Sequence, residues 1–261
     1  MRAMLLVASL VVGPVGAEAQ VLRFDPAKVP VGRVFHYLKS NVDGTHPARI
    51  HVYVRSTTAL EAFKADEGET EATLVLAEMN WDRFSVRRFE STRVNAAGQR
   101  TVRATLTQDG DTDRYVLKLD DMVRMSIVGQ WPWHSYDFDF ASLGLTLPHL
   151  VHPERPYVFG RSDFIQDGGP PRFGDLGEVT LTYAGEETRR GSDCRKYRID
   201  GPGLEHKGGL VWADKAAGHI VEFEIAIPDE PGFTSGRIAL ESVETMTAEQ
   251  WAAFIRKTLT P

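Results

Sequence analysis

The chain has 261 residues, with 30 Lys and Arg against 36 Asp and Glu, and a single cysteine. Its net charge of −6 argues against nucleic acid or anionic lipid headgroups as partners, because neutralising phosphates requires clustered basic side chains. One cysteine excludes an internal disulfide framework, so the fold must depend on its core alone.

The first 19 residues have the layout of a cleavable secretory signal peptide. Arg2 supplies a positive start, an apolar stretch runs to about Gly13, and Ala17-Glu18-Ala19 offers small residues at a cleavage site. A segment of this kind is too short to span a bilayer, although a retained anchor helix is an alternative. Cys194 does not follow the cleavage site, so no lipid anchor is expected. The prediction is an exported protein, periplasmic or extracellular, with no transmembrane segment after signal removal.

Alternation of apolar and polar residues with period two dominates the remaining chain and predicts strands. Because one face of most of these segments is apolar and the other charged, we expect antiparallel sheet with one solvated face. Turn residues between them, including Gly98, Gly110, Gly185 and Gly218, favour hairpins over βαβ crossovers. The clearest strand segments are 49–55, 101–106, 115–120, 179–183, 221–227 and 238–240.

Two helices are predicted from capping patterns. Thr58 and Glu61 have the spacing of a capping box, which predicts a short helix near residues 58–66. Near the C-terminus, Thr247 and Gln250 have the same spacing. Apolar residues at helical spacing then form a stripe that is expected to dock on the sheet: Trp251, Phe254, Ile255 and Leu259.

Between two sheet-rich stretches lies a segment rich in proline and glycine, about 129–177, which is predicted to be irregular. A connection of this length is often functional. It begins with an aromatic stretch from Trp131 to Phe140. One interpretation is an ordinary strand with Asp137 and Asp139 facing water, and the other is a flap or wall over an apolar cavity.

No motif specifies a reaction. The sequence lacks a Gly-x-Ser-x-Gly elbow, a phosphate-binding glycine-rich loop and a His-Glu-x-x-His zinc helix. His149 and His152 are the best metal candidates, but prolines beside them argue against a helix, so neither a metal site nor a cofactor is predicted. Asp137 and Asp139 could act as paired acids in sugar hydrolysis. Cys194 has no neighbouring base and is interpreted as structural.

The second half, about 177–260, carries a resemblance. Its segments Tyr183-Ala184-Gly185-Glu186, Arg195-Lys196-Tyr197-Arg198-Ile199 and Leu210-Val211-Trp212-Ala213-Asp214 resemble exported bacterial β-rich proteins. More distantly, they resemble periplasmic lipoprotein carriers and envelope lipid-binding proteins, whose incomplete β-barrel wraps an acyl chain. The resemblance covers roughly a third of the chain and rests on strand rhythm and turn glycines. It implies a related architecture, but no ligand residue of the carriers can be assigned to a numbered position.

These observations predict a mainly β fold, with residues 20–261 as a single β-rich domain. We expect a curved antiparallel sheet or open, incomplete β-barrel, with a C-terminal helix and the short helix near residues 58–66. Residues 31–128 and 177–245 would supply the strands.

Three functions remain open, and the sequence favours a non-enzymatic role. The first is an exported envelope protein that binds a lipid or other hydrophobic ligand in a concave sheet, with Val52 and Leu117 lining the cavity. The second is an envelope interaction protein, which needs an apolar patch or a free sheet edge. The third is a hydrolase of an envelope polymer, which needs His134, His149, Asp137, Asp139 and Glu154 to converge. The predicted ligand-binding residues are Trp131, Trp133, Tyr136, Phe138, Phe223 and Ile225.

Overall fold

The computed structural model describes residues 20–65, 69–165, 168–230 and 232–260. The predicted signal segment, residues 1–19, lies outside this part of the chain. No helix within it has the length and apolar character needed to cross a membrane. The strands are β1 (Arg33–Ser40), β2 (Ala48–Val54), β3 (Ala59–Lys64), β4 (Glu71–Asn80), β5 (Ser85–Asn95), β6 (Arg100–Gln108), β7 (Arg114–Leu119), β8 (Met122–Ile127), β9 (Trp133–His134), β10 (Tyr157–Ile165), β11 (Arg172–Arg189), β12 (Ser192–Asp200), β13 (Gly209–Asp214), β14 (Ile220–Ile225) and β15 (Gly236–Thr245). The helices are α1 (Ala141–Thr146) and α2 (Ala248–Thr258), with 3₁₀ turns at Pro26–Lys28, Leu147–His149 and Pro202–Leu204.

All the described strands belong to one sheet, in the order β8-β7-β6-β5-β4-β3-β2-β1-β15-β14-β13-β12-β11-β10-β9. Neighbours pair antiparallel, apart from the short parallel contact between β9 and β10. Strands β1 and β15 pair at the middle of the sheet. Two meanders therefore extend outward from this central pair, and antiparallel neighbours need only hairpins to connect them. The mainly β prediction, with a curved sheet that does not close, is confirmed.

The main hydrophobic core lies on the concave face of the sheet. Alternation places Phe35 and Tyr37 of β1 and Ile50, Val52 and Val54 of β2 on this face. The aromatic residues after β9 and the helix α1 cover part of it. The core is thus built from one face of the sheet and the segment that crosses it.

The C-terminal helix α2 is confirmed and covers the middle of the convex face. Thr247 Oγ1 accepts a hydrogen bond from the Gln250 backbone N–H at 3.3 Å, and Gln250 Oε1 accepts one from the Thr247 N–H at 2.8 Å. These two bonds form the predicted capping box. The apolar stripe of α2 packs on Val34, Tyr53 and Phe63. The sheet is therefore buried on both faces here, and the expectation of one solvated face is wrong for β1 to β3.

The helix predicted near residues 58–66 is wrong, because Ala59–Lys64 forms strand β3. Leu60 and Ala62 belong to the concave core, while Phe63 packs under α2. Pairing with β2 and β4 on either side satisfies the backbone groups of this segment. The spacing of Thr58 and Glu61 matched a capping box by chance, and tertiary pairing decided the conformation.

The predicted irregular segment, about 129–177, is more ordered than expected. It contains α1, β10 and the first residues of β11. A bulge beside Arg161 and Ser162 interrupts the alternation, which hid the strand. Residues 136–140 form turns rather than the alternative strand, and Asp139 is buried instead of facing water.

Bulges also change which face some predicted strand residues occupy. Val102 lies opposite Thr92 rather than continuing the row of Ala104 and Leu106, and it is exposed. Val221 lies in the bulge between β13 and β14 and packs with Trp212 on the convex side. A single extra residue in a strand moves the side chains that follow it to the opposite face of the sheet. The turn predicted at Gly185 is likewise wrong, since β11 continues through it with a bulge.

Candidate functional site: a cavity on the concave face

A cavity of about 990 Å³ lies on the concave face of the sheet. Its floor consists of core-facing side chains of the central strands, and its cover is the segment that contains α1 and the following 3₁₀ turn. The apolar lining residues include Phe35, Ile50, Val52, Val54, Leu145, Leu147, Leu150, Ile220 and Ile238. This lining follows from strand alternation, because these positions share the face that the core occupies.

One polar group among the apolar residues of the cavity wall, the Tyr37 hydroxyl, already has a hydrogen-bond partner. The Tyr37 hydroxyl lies in the cavity wall and donates to the Ile220 carbonyl at 2.8 Å. Burial raises the pKa of Tyr37 well above its usual value, so the hydroxyl stays neutral. At this position the wall presents a neutral hydroxyl group whose hydrogen bond is already made.

Lysines and carboxylates form a buried cluster at one end of the cavity, which we call the ionic cluster: Lys39, Lys64, Asp139, Asp229 and Glu230. Lys39 Nζ lies 3.0 Å from Asp139 Oδ1, 2.5 Å from Asp229 Oδ2 and 2.5 Å from Glu230 Oε1. Lys64 Nζ lies 2.9 Å from Asp139 Oδ2 and 2.8 Å from Glu230 Oε1. Of these five residues, Asp139 lines the cavity, and we call the end of the cavity beside it the deep end.

Burial and neighbouring charges act against each other in the ionic cluster. Burial favours the neutral acid at Asp139, but Lys39 and Lys64 outweigh burial and lower its pKa. Burial raises the pKa of Asp229, and the negative charge of Asp139 adds to that rise. Beside the cluster, burial raises the pKa of Asp137 to about 6. The oxygens of Asp139, Asp229 and Glu230 lie within 4.8 Å of one another, a spacing a metal ion could use, but the two ammonium groups already pair with them.

The predicted ligand-binding residues lie together, but not around the cavity. Trp133, Tyr136, Phe138, Phe223 and Ile225 are buried in the concave core, and Trp131 packs against it. None of these six side chains lines the cavity. Of the two further residues expected to line it, Val52 does and Leu117 lies in the core. Ligand contact by the six aromatic and aliphatic residues stays a prediction.

The residues required for a hydrolase do not converge. His134 is buried, with ring nitrogens 3.0 Å from Ser142 Oγ and 3.0 Å from the Tyr157 hydroxyl. His149 lies among aromatic rings, including Trp81 and Phe84. Asp139 is held in the ionic cluster, and Glu154 lies elsewhere along the cavity lining. The histidine–serine pair is sealed from solvent, so it offers a substrate no access.

Sequence reasoning missed Lys39, Lys64, Asp229 and Glu230. One signal was present: Lys39 continues the core-facing alternation of Phe35 and Tyr37 in β1. A lysine at such a position must meet counter-charges, since an isolated buried ammonium group is very costly. The sequence did not show which carboxylates would meet it.

Burial of His134 gives stability a defined pH dependence. Burial lowers its pKa to about 3 from the ordinary 6.5, so the unfolded chain binds the proton more readily. The stabilisation is complete above about pH 6.5 and is lost as the pH falls towards 3. Between pH 7 and pH 5, the advantage of the wild type over His134→Gln in unfolding free energy should shrink by about 2 kcal/mol. Urea unfolding at both pH values measures this, and a constant difference would contradict the assignment.

Comparisons with known proteins add little. No protein-family model matches the chain, and no curated protein matches it significantly. Among solved structures, the chain is similar to an outer membrane lipoprotein-sorting protein domain from Vibrio parahaemolyticus, with 10% identity over 89% of this chain and 94% of that one. The TM-score of this match is 0.25, which is too low to carry an argument about fold or function.

Proposed function

We propose that this protein binds a hydrophobic ligand, an acyl chain or a molecule of similar shape, in the cavity of the concave face. The observation that carries the proposal is a space of about 990 Å³ whose wall combines aliphatic and aromatic side chains with charged side chains. Binding sites for small molecules are commonly concave, mostly apolar and about 300–1,000 Å³ in volume.

The position of the cavity also supports ligand binding. It lies between the centre of the sheet and the cover formed by α1 and its neighbours, while the aromatic core beside it is filled by its own side chains. A filled core stabilises the fold, and the adjacent open space leaves apolar surface for a guest. The fold therefore needs no rearrangement of its core to hold one.

The setting of this function is also part of the proposal. The pattern of residues 1–19 supports export to the periplasm or beyond, without a lipid anchor. The continuity of the sheet through all described strands supports treating residues 20–261 as one domain. A carrier or reservoir for apolar molecules in the cell envelope fits both features.

The test is to block the cavity and measure bound ligand. The full chain, expressed in a bacterial host, is purified and examined by native mass spectrometry with organic extraction. Val52→Trp places an indole among the lining residues, because Val52 lies in the cavity wall. We expect the wild type to carry near-equimolar apolar ligand and Val52→Trp to carry almost none.

The matched control is Val102→Trp, which adds the same side chain at an exposed position outside the cavity. This variant should keep the ligand content of the wild type. Thermal unfolding of both variants checks that they fold. A folded wild type without ligand, or equal ligand in both variants, would contradict the proposal.

A second candidate function, docking of an envelope protein, is favoured by strand β8. This strand ends the sheet order and pairs with β7 alone among the described strands. Its outer side chains Val123, Met125 and Ile127 are 64%, 62% and 60% exposed. Exposed apolar residues on an edge strand favour strand addition by a partner. The same native spectra distinguish the two functions, since a protein partner adds a polypeptide mass that resists organic extraction.

A further inference from the structure

Four cationic side chains line the end of the cavity opposite the ionic cluster. Lys28 ends the first 3₁₀ turn, Arg33 begins β1, Arg195 lies in β12 and Lys215 follows β13. We call these residues the mouth cations. Within β1, alternation puts Arg33 and Lys39 on the same face as Phe35, six residues apart. At about 3.3 Å per residue, Arg33 and Lys39 lie about 20 Å apart along β1.

Contacts between separate segments bring the mouth cations around one opening. The rings of Phe35 and His219 lie 5.0 Å apart, which places the turn after β13 beside the start of β1. Lys28 Nζ donates to the Pro148 carbonyl at 2.9 Å. Arg195 Nη1 donates to the Lys215 carbonyl at 2.9 Å, so these two cations adjoin each other.

Positive charge at this opening exceeds the negative charge that faces it. Lys215 pairs with Glu186, and both side chains are about half exposed. Glu154 is the remaining acidic side chain that lines this end, and Asp214 is engaged by the backbone of its own turn. Four mouth cations thus meet three carboxylates, those of Glu154, Glu186 and Asp214, which leaves an excess of one positive charge.

Two of the mouth cations also have unused donors. The Arg195 Nε–H is buried and has no hydrogen-bond partner among the described residues. The Arg33 guanidinium is exposed and forms no ion pair with a carboxylate among the described residues. A buried donor without a partner is costly unless a ligand or water satisfies it. Guanidinium groups match the geometry of carboxylate and phosphate oxygens.

We propose that the mouth cations bind the anionic head group, carboxylate or phosphate, of an amphiphile whose acyl tail fills the cavity. This inference rests on the proposed binding of a hydrophobic ligand. The orientation follows from charge: the mouth carries excess positive charge, whereas at the deep end Lys39 and Lys64 are already paired with carboxylates, so an anionic head gains more at the mouth. The tail then lies along Ile50, Val52 and Leu147.

The test uses probes with one tail and different heads. Dodecanoate, dodecyl phosphate, dodecanol and dodecyltrimethylammonium are titrated below their micelle concentrations against the full chain after ligand extraction, by isothermal calorimetry. At least one anion should bind about tenfold or more tightly than dodecanol, as expected for charge-assisted hydrogen bonds. The ammonium probe should bind most weakly. The tighter of the two anions identifies the head group.

Substitutions of the mouth cations then test whether these residues cause the preference for anionic head groups. Arg33→Gln and Arg195→Gln should each reduce anion affinity about tenfold while leaving dodecanol affinity unchanged. Unchanged dodecanol binding shows that these variants still fold. The matched control is Arg198→Gln, since Arg198 lies on the same strand as Arg195 but on its other, exposed face. This control should retain the anion preference.

The outcomes separate the two proposals. If dodecanol and the ammonium probe bind as tightly as the anions, the head-group inference is overturned while hydrophobic binding stands. If Arg33→Gln and Arg195→Gln behave like Arg198→Gln, the preference comes from elsewhere and the assignment to the mouth cations is wrong. If no probe binds, the proposed function itself fails.

Discussion

Replacing Lys39 by methionine is expected to lower the free energy of unfolding by about 3–5 kcal/mol. The Lys39 side chain is only 3% exposed, and its ammonium group contacts three carboxylates. Its removal leaves Asp139 and Asp229 buried with less counter-charge. An unpaired buried carboxylate loses its hydration without compensation, which makes breaking such a network much more costly than breaking a surface pair.

The same contacts explain why the substitution of Lys39 should destabilise several segments of the molecule. Lys39 on β1 joins the turn that contains Asp139 to the loop that contains Asp229 and Glu230. Lys64 on β3 contributes to the same network. The cluster therefore ties two covering segments to the central strands at the deep end of the cavity.

Equilibrium urea unfolding of Lys39→Met measures this loss, and two further variants control it. Lys207→Met removes an exposed pair with Glu205 and should cost no more than about 1 kcal/mol. Lys39→Met combined with Asp139→Asn removes one positive and one negative charge together, so it should be more stable than Lys39→Met alone. If Lys39→Met costs no more than Lys207→Met, the ionic cluster does not stabilise the fold as argued.

Truncation of Trp251 to alanine is the second large effect, with an expected loss of about 3–5 kcal/mol. Trp251 lies on the buried face of α2 and stacks on Tyr53 with ring centroids 5.3 Å apart. Its Nε1–H donates to Glu61 Oε2 at 2.7 Å. The substitution thus removes an aromatic anchor and also leaves a buried carboxylate oxygen without that donor.

A conservative variant separates the contribution of aromatic packing to the free energy of unfolding from that of the hydrogen bond to Glu61. Trp251→Phe keeps most of the aromatic surface but loses the donor to Glu61, so it should cost about 1–3 kcal/mol. Lys257→Ala changes an exposed position on the same helix and should stay within about 0.5 kcal/mol of the wild type. Denaturant unfolding followed by circular dichroism compares all three. Equal stability of Trp251→Ala and Lys257→Ala would show that α2 does not depend on this anchor.

The two large predictions concern opposite faces of the same central strands. The ionic cluster closes one end of the concave cavity, and α2 covers the convex side of β1, β2 and β3. Polar side chains therefore occupy buried positions on both faces of this region, including Glu61 and Lys39. The central strands are therefore buried on both faces, and the cavity lies beside this buried region.

The sequence by itself determined the local elements whose signals depend on nearby residues. Alternation with period two predicted strands such as β2 and β7, because the facing of a side chain is a local property of extended backbone. The capping box of Thr247 and Gln250 predicted where α2 begins for the same reason. The identical spacing at Thr58 failed, since pairing with β2 and β4 outweighed a weak local preference.

Only the tertiary structure decided what depends on contacts between distant residues. Lys39 meets Asp229 across 190 residues of chain, so neither side chain could be recognised as part of a site from its neighbours. The mouth cations are likewise scattered between residues 28 and 215. The net charge of −6 gave no indication that positive side chains would gather at one place. The curvature of the sheet and the pairing of β1 with β15 bring them together. Charge and cavity are therefore properties of the assembled sheet, because they arise from side chains that local patterns cannot relate to one another.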